Sequence, residues 1–284
     1  MDSRRADRIA TTVFWAVGLI TLGILLFIIL EIFGRGLITA LSPSFFAGKP
    51  EAREAGGGIW PMIASSVYLA VLTMLISLPI AVGAAIYLAE FSREGRLNRF
   101  IRFCLDSLST LPSIVFGIFG MTIFVIKFRW SYCLLAGACT LALLTLPILL
   151  RSTEESLRQV PLTYREASMS LGASRWTTVR KVVMPTAMPG IISGTILPVG
   201  RIMGEAAAII YTTGLFVRTI PKSPFDPAAP LAGYIWYAQT EAMVPDYRRI
   251  VNGGAAMLLI LVFLINFAAR RLAKYYSKRK SLGG

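Results

Sequence analysis

Histidine is missing from all 284 positions. Its absence excludes histidine metal sites, Ser-His-Asp triads and histidine proton relays together. Acidic residues are scarce, 15 Asp+Glu against 29 Lys+Arg, and charged residues make up only 15 % of the chain. A soluble domain carries about 25 %. Cysteine occurs three times, at Cys104, Cys133 and Cys139. An odd count argues against a disulfide framework, and the apolar context and spacing of Cys133 and Cys139 do not suit a metal knuckle. We read all three as small buried hydrophobes. No G-x-x-x-x-G-K-[ST] phosphate loop occurs, so ATP would have to be bound by another chain. With no histidine and no paired aspartates inside its apolar runs, the chain also lacks the groups of a membrane-embedded enzyme.

What the sequence has is apolar length. Hydrophobic residues reach 55 %, and a membrane span needs roughly 20 of them in a row. Six segments qualify or nearly qualify: 13–33, 63–89, 108–126, 133–150, 191–213 and 255–269. These predict an all-α membrane protein of six transmembrane helices. The first apolar core exceeds the 7–15 residues of a signal-peptide core and no convincing cleavage site follows, so it reads as a retained signal anchor. The basic residues lie between the spans, which reads as positive-inside anchoring in a lipid bilayer and not as a nucleic-acid face. Nineteen fall at the two termini and in the second-to-third and fourth-to-fifth connections, nine on the other side. That bias predicts both termini in the cytoplasm. Three regions follow: an anchor helix with its outer loop over 1–62, a core over 63–272, and a basic tail over 273–284.

Two outer connections are long. The first, 34–62, contains Gly56-Gly57-Gly58 and reads as an irregular loop. The second, 214–254, carries Pro221, Pro224, Pro227 and Pro230, which preclude a regular helix there. The stretch Tyr234-Ile235-Trp236-Tyr237 that follows suits a short interfacial helix or a docking site for a partner.

The cytoplasmic loop 151–190 is polar yet patterned. Thr163 and Glu166 form a T-x-x-E capping box, predicting a helix over 164–171. Gly172 tolerates the left-handed position after it. Ser174 caps a second helix over 176–183, and Pro185 ends it. The run Glu166-Ala167-Ser168, then Gly172, then Val182, Met184 and Pro185 resembles the EAA loop of ABC-importer permeases, with matching spacing and three conservative departures at Ser168, Val182 and Met184. The resemblance implies the MetI-like type I permease architecture. It also implies that Glu166, Ala167 and Gly172 belong to a coupling helix that docks on a separate ATPase subunit. On the residues alone, a plain surface helix capped by Glu166 and Gly172 is an equal reading.

The fifth span holds two ionised residues, Arg201 and Glu205. Each costs roughly 2.5–3.5 kcal/mol to insert, which makes them candidates for function. One helical turn apart, they can share a face. Arginine suits an oxyanion through its planar fork; an internal Arg201–Glu205 ion pair that fixes packing is the other reading. Gly190/Gly194 and Gly200/Gly204 are G-x-x-x-G pairs that permit close helix approach, at a subunit seam or within the chain. Pro198 is expected to weaken or kink the helix.

Leu111-Pro112-Ser113-Ile114-Val115-Phe116-Gly117, Arg201-x-x-Gly204-Glu205 and Pro221-x-x-Pro224 resemble the permeases of bacterial phosphate importers, the PstA family. With the EAA loop these cover 108–230. The resemblance implies a phosphate path through Arg201 and, more loosely, Glu205, with Pro112 and Gly117 in helix bending, packing or gating. It further implies three partners: a related second permease (PstC-like), two copies of an ATPase (PstB-like) and an external phosphate-binding protein (PstS-like). ATP and Mg would be used by the ATPase, and this chain would bind no cofactor. The alternatives are a permease for another oxyanion or polar solute and, from another class, a secondary transporter or channel.

Overall fold

The structure, a computed structural model of the chain, describes residues 3–51, 54–92, 95–241 and 243–281. Among them every regular element is helical. The long elements are α1 (Ser3–Leu41), α3 (Trp60–Ile86), α6 (Leu134–Arg158), α9 (Met184–Gly204) and α11 (Tyr247–Ser281). Shorter ones are α2 (Pro43–Ala47), α4 (Arg96–Thr110), α5 (Ser113–Gly120), α7 (Leu162–Ser170), α8 (Arg175–Thr178) and α10 (Leu231–Thr240). Three wider π-turns, Tyr87–Phe91, Met121–Lys127 and Val179–Val183, extend α3 and α5 and join α8 to α9.

Backbone groups in lipid must be satisfied within their own segment, so apolar runs of this length close into helices. Hydroxyls inside the spans follow the same rule by bonding back one turn. Ser65 donates to the Pro61 carbonyl at 2.7 Å, Ser77 to Thr73 at 2.8 Å and Thr140 to Ala136 at 2.8 Å. Five helices are long and apolar enough to cross a membrane: Asp7–Leu41, Trp60–Phe91, Leu134–Arg158, Arg175–Gly204 and Tyr247–Arg271.

The sixth expected span, 108–126, is not straight. It breaks at Leu111 and Pro112, both in extended backbone, and α4 meets α5 with its π-turn at 102°. A residue before proline disfavours the helical region, which fixes the break. The straight piece Ser113–Lys127 spans about 22 Å at 1.5 Å per residue, short of the roughly 30 Å apolar slab. α4 is the amphipathic arm of this broken span. It buries Leu105 and exposes Phe100 and Phe103.

α6 is the axis of the bundle, packed against α3, α9, α5 and α4. The core forms three layers along α3. One end holds Phe45, Ile59, Met62, Tyr234 and Ile250. The middle holds Leu69, Phe116, Leu141, Ile202 and Ile209. The other end holds Leu88, Leu105, Leu149, Leu157 and Val183. α1 packs mainly on α11 and α2; most of its apolar residues from Ile9 to Leu30 are exposed, as a lipid-facing helix requires.

Two outer-loop expectations change. The first connection is not all irregular, because α1 continues to Leu41 and α2 follows. The Tyr234 stretch forms the short helix expected, but α10 is a core element: Tyr234 is 2 % exposed and packs with α2, α3 and α11 residues.

Candidate functional site: the α7–α8 element and the α9 face

α7 begins two residues earlier than the capping box predicts. Its N-cap is Pro161, with no side-chain cap bond, so Thr163 and Glu166 do not cap it. A proline immediately ahead of the first turn sets its own φ and makes the box unnecessary. The C-terminal signal holds: Gly172 sits at φ +82°, and its N–H donates to Met169 while Ala173 donates to Ser168, closing a Schellman turn. The Ser174 hydroxyl accepts from the Thr177 N–H at 3.2 Å, as expected of a cap. Pro185 does not end the second helix. The chain runs helically from Arg175 to Gly204, because Pro185 falls in the first turn after a π-turn, where its missing N–H costs little. The loop 151–190 therefore contracts to α7 and α8, with α6 reaching Arg158 before it.

Glu166 and Ala167 face outward from α7, flanked by exposed Leu162, Met169, Leu171 and Trp176. Behind them lies an arrangement that sequence reasoning missed. Arg165 turns inward and pairs with Glu90 in the π-turn that ends α3, Nη2 to Oε1 at 2.7 Å. Beside it, Glu154 accepts from Arg102 at 2.7 Å and from Arg158 at 3.0 Å, tying α4 to α6. The available signal was a lone acid at the end of an apolar run, Ile86-Tyr87-Leu88-Ala89-Glu90, with a basic loop elsewhere to neutralise it.

On α9 the two expected site residues separate. Arg201 lies on an exposed face with Ser193, Leu197 and Gly204, and makes no hydrogen bond or ion pair with a described residue. The helix stops at Gly204, and Glu205 is extended (φ −76°, ψ 121°), its carboxylate accepting from the Ala208 N–H at 3.4 Å. The expected Arg201–Glu205 pair is thus not formed. The predicted span 191–213 ends at Gly204, and residues 206–213 fold into compact turns. Ala207 and Ala208 lie 3.0 Å from a Cβ placed at Gly117.

The small residues resolve individually. Cβ atoms at Gly190 and Gly194 would fall 2.8 Å from the hydroxyls of Ser156 and Ser152, so this pair packs α9 on α6 within the chain. Gly200 faces Asn266 and Val262 of α11 at ordinary distance, and Gly204 has open space. Pro112 is the N-cap of α5 at the break, and Pro198 is buried in α9, which continues past it. Among the described residues no His/Cys/Asp/Glu group has metal-ligand geometry.

Comparison with known proteins matches these features. Residues 77–282 match the family described as "Binding-protein-dependent transport system inner membrane component". The chain is 40 % identical to the probable ABC transporter permease protein YqgI of Bacillus subtilis (strain 168), over 98 % of this chain and 99 % of that one. It is 30 % identical to the phosphate transport system permease protein PstA 1 of Mycobacterium tuberculosis (strain ATCC 25618 / H37Rv), over 98 % and 91 %. An inward-facing MetNI methionine ABC transporter shares the fold, with TM-score 0.60 at 23 % identity over 77 % of this chain and 94 % of that one. Proteins of this family work with a second permease, a separate ATPase subunit and an external binding protein. A bundle of membrane-crossing helices carrying an EAA-spaced helical element at one end thus has its place: the chain belongs to the inner-membrane permease subunits of ABC importers.

Proposed function

We propose that the chain is the permease of a phosphate importer, forming half of the translocation pathway beside a related second permease. The carrying observation is Arg201: a guanidinium without a described partner on an exposed α9 face, next to the open space at Gly204. An anion leaving water needs donors to offset its lost hydration, and a planar fork gives bidentate ones without a proton to lose. Arg201 stands about 24 Å along the helix from Pro185, within the roughly 30 Å apolar slab and toward its far side if α9 crosses it. Glu205, close by in sequence and not paired with it, moderates the attraction so that the anion can leave. Family relatives named for phosphate transport support the same substrate.

Both termini face the cytoplasm in this reading, and α7 docks by Glu166, Ala167 and its exposed apolar residues on one of two ATPase copies. ATP, with Mg, is bound and hydrolysed there. Closure of the ATPase pair moves α7, and the pathway alternates between inward and outward access. An external phosphate-binding protein delivers the substrate. Another oxyanion is the competing substrate, since the Arg201 fork serves either; family membership sets aside the secondary transporter and the channel.

The test is ATP-dependent uptake of labelled phosphate into proteoliposomes holding the assembled complex, wild type against Arg201→Ala. Uptake lost in the variant with subunit assembly intact supports the assignment. A wild-type complex that hydrolyses ATP and moves only another solute overturns it.

A further inference from the structure

α7 is joined covalently to α6 through residues 159–161 and to α9 through α8, but its side chains hold a third element. Arg165 reaches Glu90, 75 residues away in sequence, with Nη2 at 2.7 Å from Oε1 and Nε at 3.2 and 3.3 Å from the two oxygens. The other edge of the same guanidinium donates to the Leu157 carbonyl at 2.8 Å and to that of Val160, at the end of α6. The Leu157 carbonyl lies in the last turn of α6, at the negative pole of that helix's dipole, so the cation is doubly suited to the place. The side chains are only 13 % and 7 % exposed, so water offers neither a substitute partner. A second contact lies one residue on. The Arg175 guanidinium sits 5.3 Å from the Phe91 ring centroid, and Trp176 packs at 6.4 Å from it. α7 and α8 thus grip the same π-turn, Tyr87–Phe91, a geometry that recurs at functional sites.

We propose that the Arg165–Glu90 pair is the strut through which the α7–α8 element drives α3, which makes both positioning residues of transport. The proposal rests on the reading of α7 as the ATPase-docking element. Trp60–Phe91 is one apolar span of 32 residues, about 48 Å long, so a displacement at Glu90 is carried the length of the bundle. Packed helices move as rigid bodies between discrete arrangements, and a buried bidentate pair transmits such a shift where a covalent turn would absorb it. Without the pair, α7 still pulls on α9 through α8, and α3 is left with only the weaker Arg175 and Trp176 contacts to Phe91.

The experiment uses the full complex in lipid nanodiscs. A solvatochromic fluorophore is placed at Leu75→Cys, exposed on α3, in a chain whose three native cysteines are replaced by alanine. Its signal is read at rest and after trapping nucleotide with vanadate, with ATP hydrolysis measured alongside. Glu90→Gln leaves every residue of α7 in place. Its hydrolysis is expected to stay near wild type while the nucleotide-dependent signal falls at least about fivefold, and the exchanged pair Glu90→Arg with Arg165→Glu is expected to recover part of it. A wild-type signal change in Glu90→Gln overturns the strut, and so does loss of the ATPase from that complex, which makes the pair a docking or folding feature. Absence of the change in the wild-type complex overturns instead the coupling reading of α7.

Discussion

Gly36 of α1 lies under the backbone of Asn252 on α11: a Cβ at Gly36 would fall 2.0 Å from the Asn252 carbonyl oxygen. The facing glycine is close-packed as well, with a Cβ at Gly253 falling 2.7 Å from Thr39 Cγ2. This crossing, with Ile32, Phe33 and Ala40 beside it, is where α1 is held to the bundle, since the helix before it faces mostly outward. Backbone contact of this kind is how small residues join helices in lipid, where no hydrophobic force drives them together.

Gly36→Val should therefore lift α1 from α11 at a cost of about 1–3 kcal/mol, the usual scale of overpacking. The measurement is the thermal unfolding midpoint of the purified chain in detergent. Gly18→Val on the same helix, where nothing lies within 4 Å, should leave the midpoint unchanged. Equal shifts in the two variants would contradict the crossing.

The broken span depends on a similar contact. A Cβ at Gly120 would meet Thr140 Oγ1 at 2.0 Å, so Gly120→Ala should lower stability by about 1–3 kcal/mol. Thr140→Ala removes the two nearest atoms and leaves Cβ at 3.0 Å, so the double variant should recover part of the loss. A double-mutant cycle gives the coupling, and a value near zero would show that the two residues do not meet.

At Gly172 the constraint is the backbone alone. No atom lies within 4 Å of an added Cβ, but φ is +82°. Gly172→Ala should weaken the turn after α7 by about 1–2 kcal/mol, with Gly172→Asn costing less. Hydrogen exchange at the Gly172-position and Ala173 amides, both bonded back into α7, reads this directly as about tenfold faster exchange.

Arg201 and Glu205 should respond differently in phosphate uptake. Arg201→Lys keeps the charge but loses the fork, and its uptake should lie between wild type and Arg201→Ala. Glu205→Gln keeps an acceptor for the Ala208 N–H while removing a charge near the proposed pathway. The fold should hold, and phosphate should bind more tightly and leave more slowly, seen as KM and kcat falling together. Unfolding of the Glu205→Gln chain would place that carboxylate in the structure and not in the path.

The α7–α8 element was half legible. The Schellman turn at Gly172 and the cap at Ser174 are local, fixed by residues within five positions of each other, and the sequence pattern found both. The capping box failed for the same local reason, because Pro161 had already begun the helix. Glu90 could be noticed as an acid closing an apolar run, but its partner could not be named. Several basic residues of the loop are equivalent until the fold turns one inward.

By itself the sequence determined the membrane class, five of the spans and the family. In lipid each segment must satisfy its own backbone, so apolar length in one dimension is enough to find it. The tertiary structure alone decided that the 108–126 run bends by 102°, that Arg201 has no partner among the described residues while Glu205 leaves the helix, and that Gly190 and Gly194 pack inside the chain. It alone joined Arg165 to Glu90. These outcomes depend on which faces of separate helices meet, and that is settled by close packing of the whole bundle and not by any local pattern.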